Sequence, residues 1–413
     1  MSIKNNIPYN KTIFNFILTL GLTFYFTKPQ IKHIGEFIFA ASSRSYSGKL
    51  TQISEICYCT THKSSISRFL SNSTWNEAYI SKALKKFAID RIWAKSLETG
   101  LPIYLIIDDT ICKKTKPSSQ AKNPIQKCSF HHSHTENKQV YGHQVVGVLL
   151  QCGNLSIPLD FILFEKNLTD CNGQKITKIS ETIDLISSLP KPPNKGYIMA
   201  DSWYSAEKVI KASLKVGFNY LGALKTNRVI YPKQYRVDQN ISGFAKKLLK
   251  DDFDLVTVKG HQYYVYRYEG KINGFDNVTI IMSYPKAVFQ KDNTLKAFIT
   301  TDLTLNTLEI LNLYTNRWSI EVFFRQNKMA LGFDNYQVRT KKAIKRFWLL
   351  TRITYIYLSF SCEMKEQSIS EGIQSNRIAN EQAKIDWVID CIKEGASKDD
   401  IFKALNLSQD KCA

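Results

Sequence analysis

Tyr314-Thr-Asn-Arg317-Trp-Ser-Ile-Glu321-Val-Phe-Phe-Arg-Gln-Asn-Lys328 is the stretch from which the rest of the chain can be read. At 3.6 residues per turn, Tyr314, Arg317, Glu321 and Lys328 fall at about 0°, 300°, 340° and 320° around a helix, a polar stripe about 60° wide. Trp318, Ile320, Val322, Phe323 and Phe324 lie off that stripe. A solvated charge face needs no such apolar belt. A helix that gives aromatic flanks to a core while holding Tyr, Arg, Glu and Lys in line aims those four groups at one object.

Working outward, two other acids share a common placement. Asp108 and Asp109 follow the apolar run Tyr104-Leu-Ile-Ile107, and Asp201 follows Tyr197-Ile-Met-Ala200. Each run predicts a buried strand, and a carboxylate at the end of such a strand stands where sites in α/β sheets are commonly built. Asp108 and Asp201 are therefore expected to converge with Glu321. Two strand-end aspartates and a helical glutamate offer oxygen donors only, which suits hard cations such as Mg²⁺, with Mn²⁺ as a substitute. Two such ions can clamp the attacking and leaving oxygens of a phosphodiester.

The pattern between these acids predicts the fold. Strands are expected at Ile103 to Ile107, Val145 to Leu150 and Ile157 to Phe164, then a helix from Ile176 to Leu189. A strand at Gly196 to Ala200, a helix at Ala206 to Val216 and a strand at Asn219 to Leu224 complete the run. Three strands, helix, strand, helix, strand is the order of an α/β (α+β) mixed sheet with flanking helices. Residues 225–305 read as a β-rich insertion, with the turn signal Asn273-Gly274, and residues 366–413 as a helical tail. The catalytic core would then be 96–224 and 306–365. Residues 1–95 read as a helical DNA-binding region: Leu50, Ile53 and Ile56, a polar break at 60–63, and the stripe Ile66, Phe69 and Leu70 have a helix-turn-helix look over 50–71.

Composition narrows the partner. The 413 residues carry 56 Lys+Arg against 36 Asp+Glu, a net charge of +20, which points to a polyanion. The excess is uneven, with 13 Lys/Arg against 5 Asp/Glu in residues 1–100 and 10 against 2 in residues 205–250. DNA, RNA or an anionic membrane surface are the candidates, and two basic surfaces suggest two contacts. The charge, and the Arg and Lys beside Glu321, argue against a carboxylate-pair hydrolase of neutral sugars. The nine cysteines are scattered without a paired Cys-x-x-Cys, so a reducing compartment is expected. Cys128, His131, His132, His134 and His143 cluster, but their spacing matches no common zinc finger. Ile13 to Phe26, interrupted by Asn15, Thr19 and Thr23, is shorter than the roughly 20 residues of a spanning helix and is read as a buried helix, with no membrane partner.

The spacing Tyr314-x2-Arg317-x3-Glu321-x6-Lys328 resembles the signature of bacterial insertion-sequence transposases of the DDE type, in the group named for that Tyr-Arg-Glu-Lys motif. Asp108-Asp109-Thr110 looks like that family's first-aspartate motif Asp-x-Thr, and Met199-Ala200-Asp201 with Trp203 and Tyr204 looks like its second. The resemblance covers about residues 50 to 350. It implies a ribonuclease H-like core and a cut-and-paste nuclease and strand transferase in which Asp108, Asp201 and Glu321 hold the metals. It further implies that Tyr314, Arg317 and Lys328 bind DNA near the scissile phosphate and that Trp203 or Trp318 stacks on a displaced base. Lys225 and Arg228, opening the basic insertion, are expected on the DNA backbone. If the first motif aligns one residue later, Asp109 replaces Asp108. The implied partners are the element's terminal inverted repeats, target DNA and a second copy of the chain in a synaptic complex, in a cytoplasmic, nucleoid-associated setting. A domesticated DNA-binding protein with an inactive core is the alternative, against which the intact acids argue.

Overall fold

The computed structural model describes residues 11–57, 64–133, 136–233, 237–363, 367–405 and 407. The chain begins with helices α1 (Lys11–Thr19), α2 (Lys28–Ala41), α3 (Leu50–Ile56), α4 (Ser64–Ser71) and α5 (Glu77–Thr99). Strands β1 (Ile103–Lys113), β2 (Ser129–Ser133), β3 (Lys138–Cys152) and β4 (Leu155–Phe164) follow, then α6 (Lys178–Ser187), β5 (Gly196–Ala200), α7 (Glu207–Lys215) and β6 (Asn219–Leu224). Next come β7 (Val229–Ile230), β8 (Gln239–Asn240), α8 (Ile241–Lys247), β9 (Asp254–Val258), β10 (His261–Ile272), β11 (Phe275–Pro285) and β12 (Lys296–Thr300). The chain closes with α9 (Thr307–Tyr314), α10 (Trp318–Leu331), α11 (Lys341–Glu363), α12 (Ile369–Lys393) and α13 (Lys398–Ala404).

These strands form one mixed sheet in the order β2-β3-β1-β5-β6-β12-β11-β10-β7-β8, with β4 also on β3 and β9 on β10. β1, β5 and β6 run parallel, and β3 and β4 are antiparallel to their neighbours. The parallel strands are apolar without alternation because helices cover both their faces. Residues 225–305 do not leave the sheet: β12 pairs antiparallel with β6 from Ala297↔Leu224 to Thr300↔Leu221, so these strands widen the same layer.

Helix α5 shows how local signals set an element. Asn76 caps its start by accepting from Ala78 N, Gly100 in the left-handed region (φ 70°) ends it, and Ile80, Leu84, Ala88, Ile92 and Ser96, four apart, form its buried stripe. α11 is buried nearly all round, the mark of a central helix. Two arginines on it, each 1% exposed, bond largely to backbone carbonyls: Arg352 to Leu159 O, with the Asp160 carboxylate beside it, and Arg346 to Phe69 O, Leu70 O, Ser73 O and Trp75 O, with the Glu77 carboxylate beside it. Arg346 thus collects the carbonyls at the end of α4 and binds the N-terminal helices to the same apolar core as the sheet.

Two expectations are corrected. Ile13 to Phe26 is not one buried helix: Gly21 (φ 67°) ends it, and Phe14, Leu18, Phe24 and Tyr25 are exposed. Asp108 and Asp109 do not end their strand, because β3 continues to pair with β1 as far as Lys113↔Gly142. The polar break expected at 60–63 lies outside the described residues. No helix among the described residues is long and apolar enough to cross a membrane.

Candidate active site

β1 and β5 pair in parallel from Ile103↔Gly196 to Ile107↔Ala200, and there β5 stops. Asp201 turns the chain: its carboxylate accepts from Trp203 N at 2.9 Å and its carbonyl from Tyr204 N at 3.2 Å, an Asx-type turn. β1 goes on with β3 alone, so Asp108 and Asp201 are the residues that follow the last pair of the parallel ladder, Ile107↔Ala200. Tyr104 and Tyr197 stack at 6.0 Å on the same face of these strands, and the two-residue alternation from them reaches Asp108 and Asp201.

The third acid arrives on α10, and a glycine lets it come close. Gly147 pairs with Asp108 across β3 and β1, and a Cβ there would stand 2.6 Å from the Phe324 ring. With no side chain at 147, Phe324 lies against the sheet, one helical turn from Glu321. Phe323 and Ile320 are buried beside it, whereas Trp318, expected in the core, is 58% exposed. The polar stripe is not carried by one continuous α-helix. A 3₁₀ turn at Thr315–Arg317 separates α9, which ends on Tyr314, from α10.

Arg317 stands between two of the acids. Its Nη1 donates to Asp108 Oδ2 at 2.7 Å and its Nη2 to Glu321 Oε1 at 2.5 Å. Burial opposes its charge, but Tyr314, Asp108 and Glu321 together raise its pKa. Burial pushes the Asp108 carboxyl up to about 6; Arg317 pulls it back, and Asp201 adds repulsion. The pair of strand acids is thus short of positive charge even with a guanidinium in contact.

Asp109 points to the other face of β1, where Gln144 Nε2 at 2.8 Å and the Lys178 ammonium hold it. Lys178 lies 5.0 Å from the centre of the half-exposed Trp203 ring, and Lys225 5.1 Å from it, so two ammonium groups stand by one aromatic ring at the mouth of the site. Arg228 donates to Ser205 O at 3.1 Å, fixing the turn after Asp201. Lys328, expected to meet DNA, donates to Thr110 Oγ1 at 2.8 Å and Ile111 O at 3.1 Å and so ties α10 to β1. The sequence reading missed Gly147, Lys178 and Gln144; nothing local marks them, since each matters through a partner distant in sequence.

The donor set suits a hard divalent cation: three carboxylates, one of them raised by burial and a like charge. Beside them the buried Tyr204 hydroxyl has no hydrogen-bond partner among the described residues. The arrangement is not yet a cage. Among the described residues no group of three or more His, Cys, Asp or Glu stands close enough to hold a metal ion, and Arg317 occupies the place between Asp108 and Glu321.

Compared with known proteins, residues 100–357 match the model of a family described as Transposase DDE domain, a span of well over half the chain that contains every acid described above. No curated protein matches the chain.

Proposed function

We propose that this chain, which belongs to the Transposase DDE domain family, is a cut-and-paste transposase that hydrolyses phosphodiesters at the ends of a mobile element and joins the freed 3′-hydroxyls to target DNA. The observation that carries this reading is that Asp108 and Asp201 each follow the last pair of the β1–β5 ladder, with Glu321 joined to Asp108 through one guanidinium. The order β4-β3-β1-β5-β6, antiparallel and then parallel, supports a ribonuclease H-like core.

In this reading Asp108, Asp201 and Glu321 hold Mg²⁺ or Mn²⁺, which when bound supply Lewis acidity at the attacking and leaving oxygens. Asp109, already neutralised by Lys178 and turned away, is left out of the set. Trp203, with two ammonium groups near 5 Å from its ring, offers a base-stacking surface beside the strand to be cut. Lys225 and Arg228 follow β6 at the same mouth and approach the DNA backbone. Lys328 holds α10, and with it Glu321, against β1. The exposed Ser67 and Arg68 of α4 face outward for base contacts, while Arg346 locks the buried side of that helix to the core. Two copies of the chain bring two element ends together.

The test is cleavage of a duplex containing the sequences that flank the coding region. Wild type should nick it with Mg²⁺ and stop on chelation, and Asp108→Ala, Asp201→Ala and Glu321→Ala should each fail while still binding DNA. Chelator-resistant cutting, or normal cutting by Glu321→Ala, would refute the reading.

A further inference from the structure

The two N–H groups of Arg317 sit on Asp108 Oδ2 and Glu321 Oε1, the carboxylates that a divalent cation has to reach. A guanidinium does not lose its proton at any working pH, so this obstacle is not removed by titration. It moves at least cost when another anion of matching shape takes the fork. A phosphodiester is such an anion, because Arg binds phosphate and carboxylate through the same paired N–H geometry.

The surroundings favour such an exchange. Arg317 lies in the 3₁₀ turn between α9 and α10, and its side chain can change partners by rotation about its own torsions with the backbone in place. The Tyr314 ring, 5.9 Å from the guanidinium carbon, gives it a face to move along. Lys328 cannot take over the duty, being held on Thr110 and Ile111, and Lys178 is held on Asp109 across β1.

We propose that Arg317 is a positioning residue that changes partners: in the free protein it is the cation of the Asp108–Glu321 pair, and on DNA entry its fork passes to a backbone phosphate and releases both carboxylates to the divalent ion. This rests on reading those acids as metal ligands. Its consequence is thermodynamic. DNA and metal each strengthen the other's binding by one shared factor, because both draw on the same displacement of Arg317. The free protein is thereby kept from assembling its cutting centre before a substrate phosphate is present.

The test is Mn²⁺ binding to the full chain, followed by the electron paramagnetic resonance of free Mn²⁺, with and without a short duplex of mixed sequence, after subtracting the Mn²⁺ that the duplex binds alone. In wild type the duplex should tighten Mn²⁺ binding about tenfold or more, and Mn²⁺ should tighten duplex binding equally. Arg317→Ala should bind Mn²⁺ about tenfold more tightly than wild type without DNA, and the duplex should then add less than about threefold. Arg317→Lys, which keeps the charge but loses the fork, should fall between them and decides the matter if the alanine variant does not fold. DNA-free Mn²⁺ binding by these variants no tighter than wild type, or undiminished coupling, would overturn the exchange. Mn²⁺ bound by neither wild type nor variant, with or without duplex, would instead overturn the assignment of the acids as a metal site, and the exchange with it.

Discussion

Substituting Gly147 by Ala tests how the third acid is delivered to the other two. A methyl at 147 would stand 2.6 Å from Phe324 Cε1 and Cζ, where ordinary contact begins at 3.4 Å, so the ring has to retreat by about 0.8 Å. Phe324 is 7% exposed and lies 5.6 Å from Phe323, which is itself stacked on Phe161, so the ring cannot simply rotate away. Gly147 carries no positive φ, and in open space the change would stabilise by about 0.4–1 kcal/mol through the unfolded chain. Overpacking costs about 1–3 kcal/mol, leaving a net loss of about 0.5–2 kcal/mol. The shift is shared by α10, and because displacements near 1 Å at a reacting centre cost up to about 100-fold, cleavage should fall far more than stability alone explains. Urea unfolding measures the first effect and Mg²⁺-dependent nicking the second. Gly147→Ala/Phe324→Leu should recover at least about 0.5 kcal/mol relative to the summed single changes. A Gly147→Ala protein as stable as wild type, or strictly additive losses, would refute the close approach as the device that seats α10.

Lys328→Ala should lower stability by about 1.5–3 kcal/mol through its lost bonds to Thr110 and Ile111. The salt slope of its DNA binding should match wild type; a slope smaller by about one unit would put the ammonium on phosphate. Arg346→Met leaves the carbonyls at the end of α4 without their donor and should cost about 1–3 kcal/mol in denaturant unfolding; no measurable loss would contradict the clamp. In metal-free protein the Asp108 carboxyl titrates near 6 folded against 3.8 for the ordinary group, so the folded state holds a proton that the unfolded chain has released. The resulting stability is present below about pH 4 and is lost as pH rises through about 6. Asp108→Asn should remove that part of the pH dependence, and identical stability–pH curves for the two proteins would refute it.

What could be read from the sequence was what local pattern encodes. The apolar runs at 103–107 and 196–200 announce themselves because parallel strands covered on both faces need no alternation, and the aromatic belt around Glu321 marks a helix with one polar side. The continuation of β1 through Asp108 to Lys113 was hidden because Asp108, Asp109 and Thr110 interrupt the apolar run before Ile111 and the buried Cys112 resume it; pairing with β3 creates it. The 3₁₀ turn at 315–317 was equally hidden, since Thr, Asn and Arg are all compatible with a helix. Residues 225–305 join the main sheet through β12 and β6, a pairing across more than seventy residues that no local signal reports. The fork of Arg317 illustrates the same limit. Spacing placed it on the face of Glu321, but its other partner, Asp108, is 209 residues away, so the sequence suggested phosphate where the structure shows carboxylates.

The central claim is that Asp201 is a metal ligand paired with Asp108, and a change of ligand softness tests it most directly. Asp201→Cys replaces a hard oxygen donor with a thiolate, which Mg²⁺ avoids and Mn²⁺ tolerates better. Nicking of the flanking-sequence duplex by this variant should be lost in Mg²⁺ and recovered in part in Mn²⁺, with DNA affinity near wild type in both. Equal activity in the two metals, or equal loss in both with the protein folded and bound to DNA, would contradict the assignment.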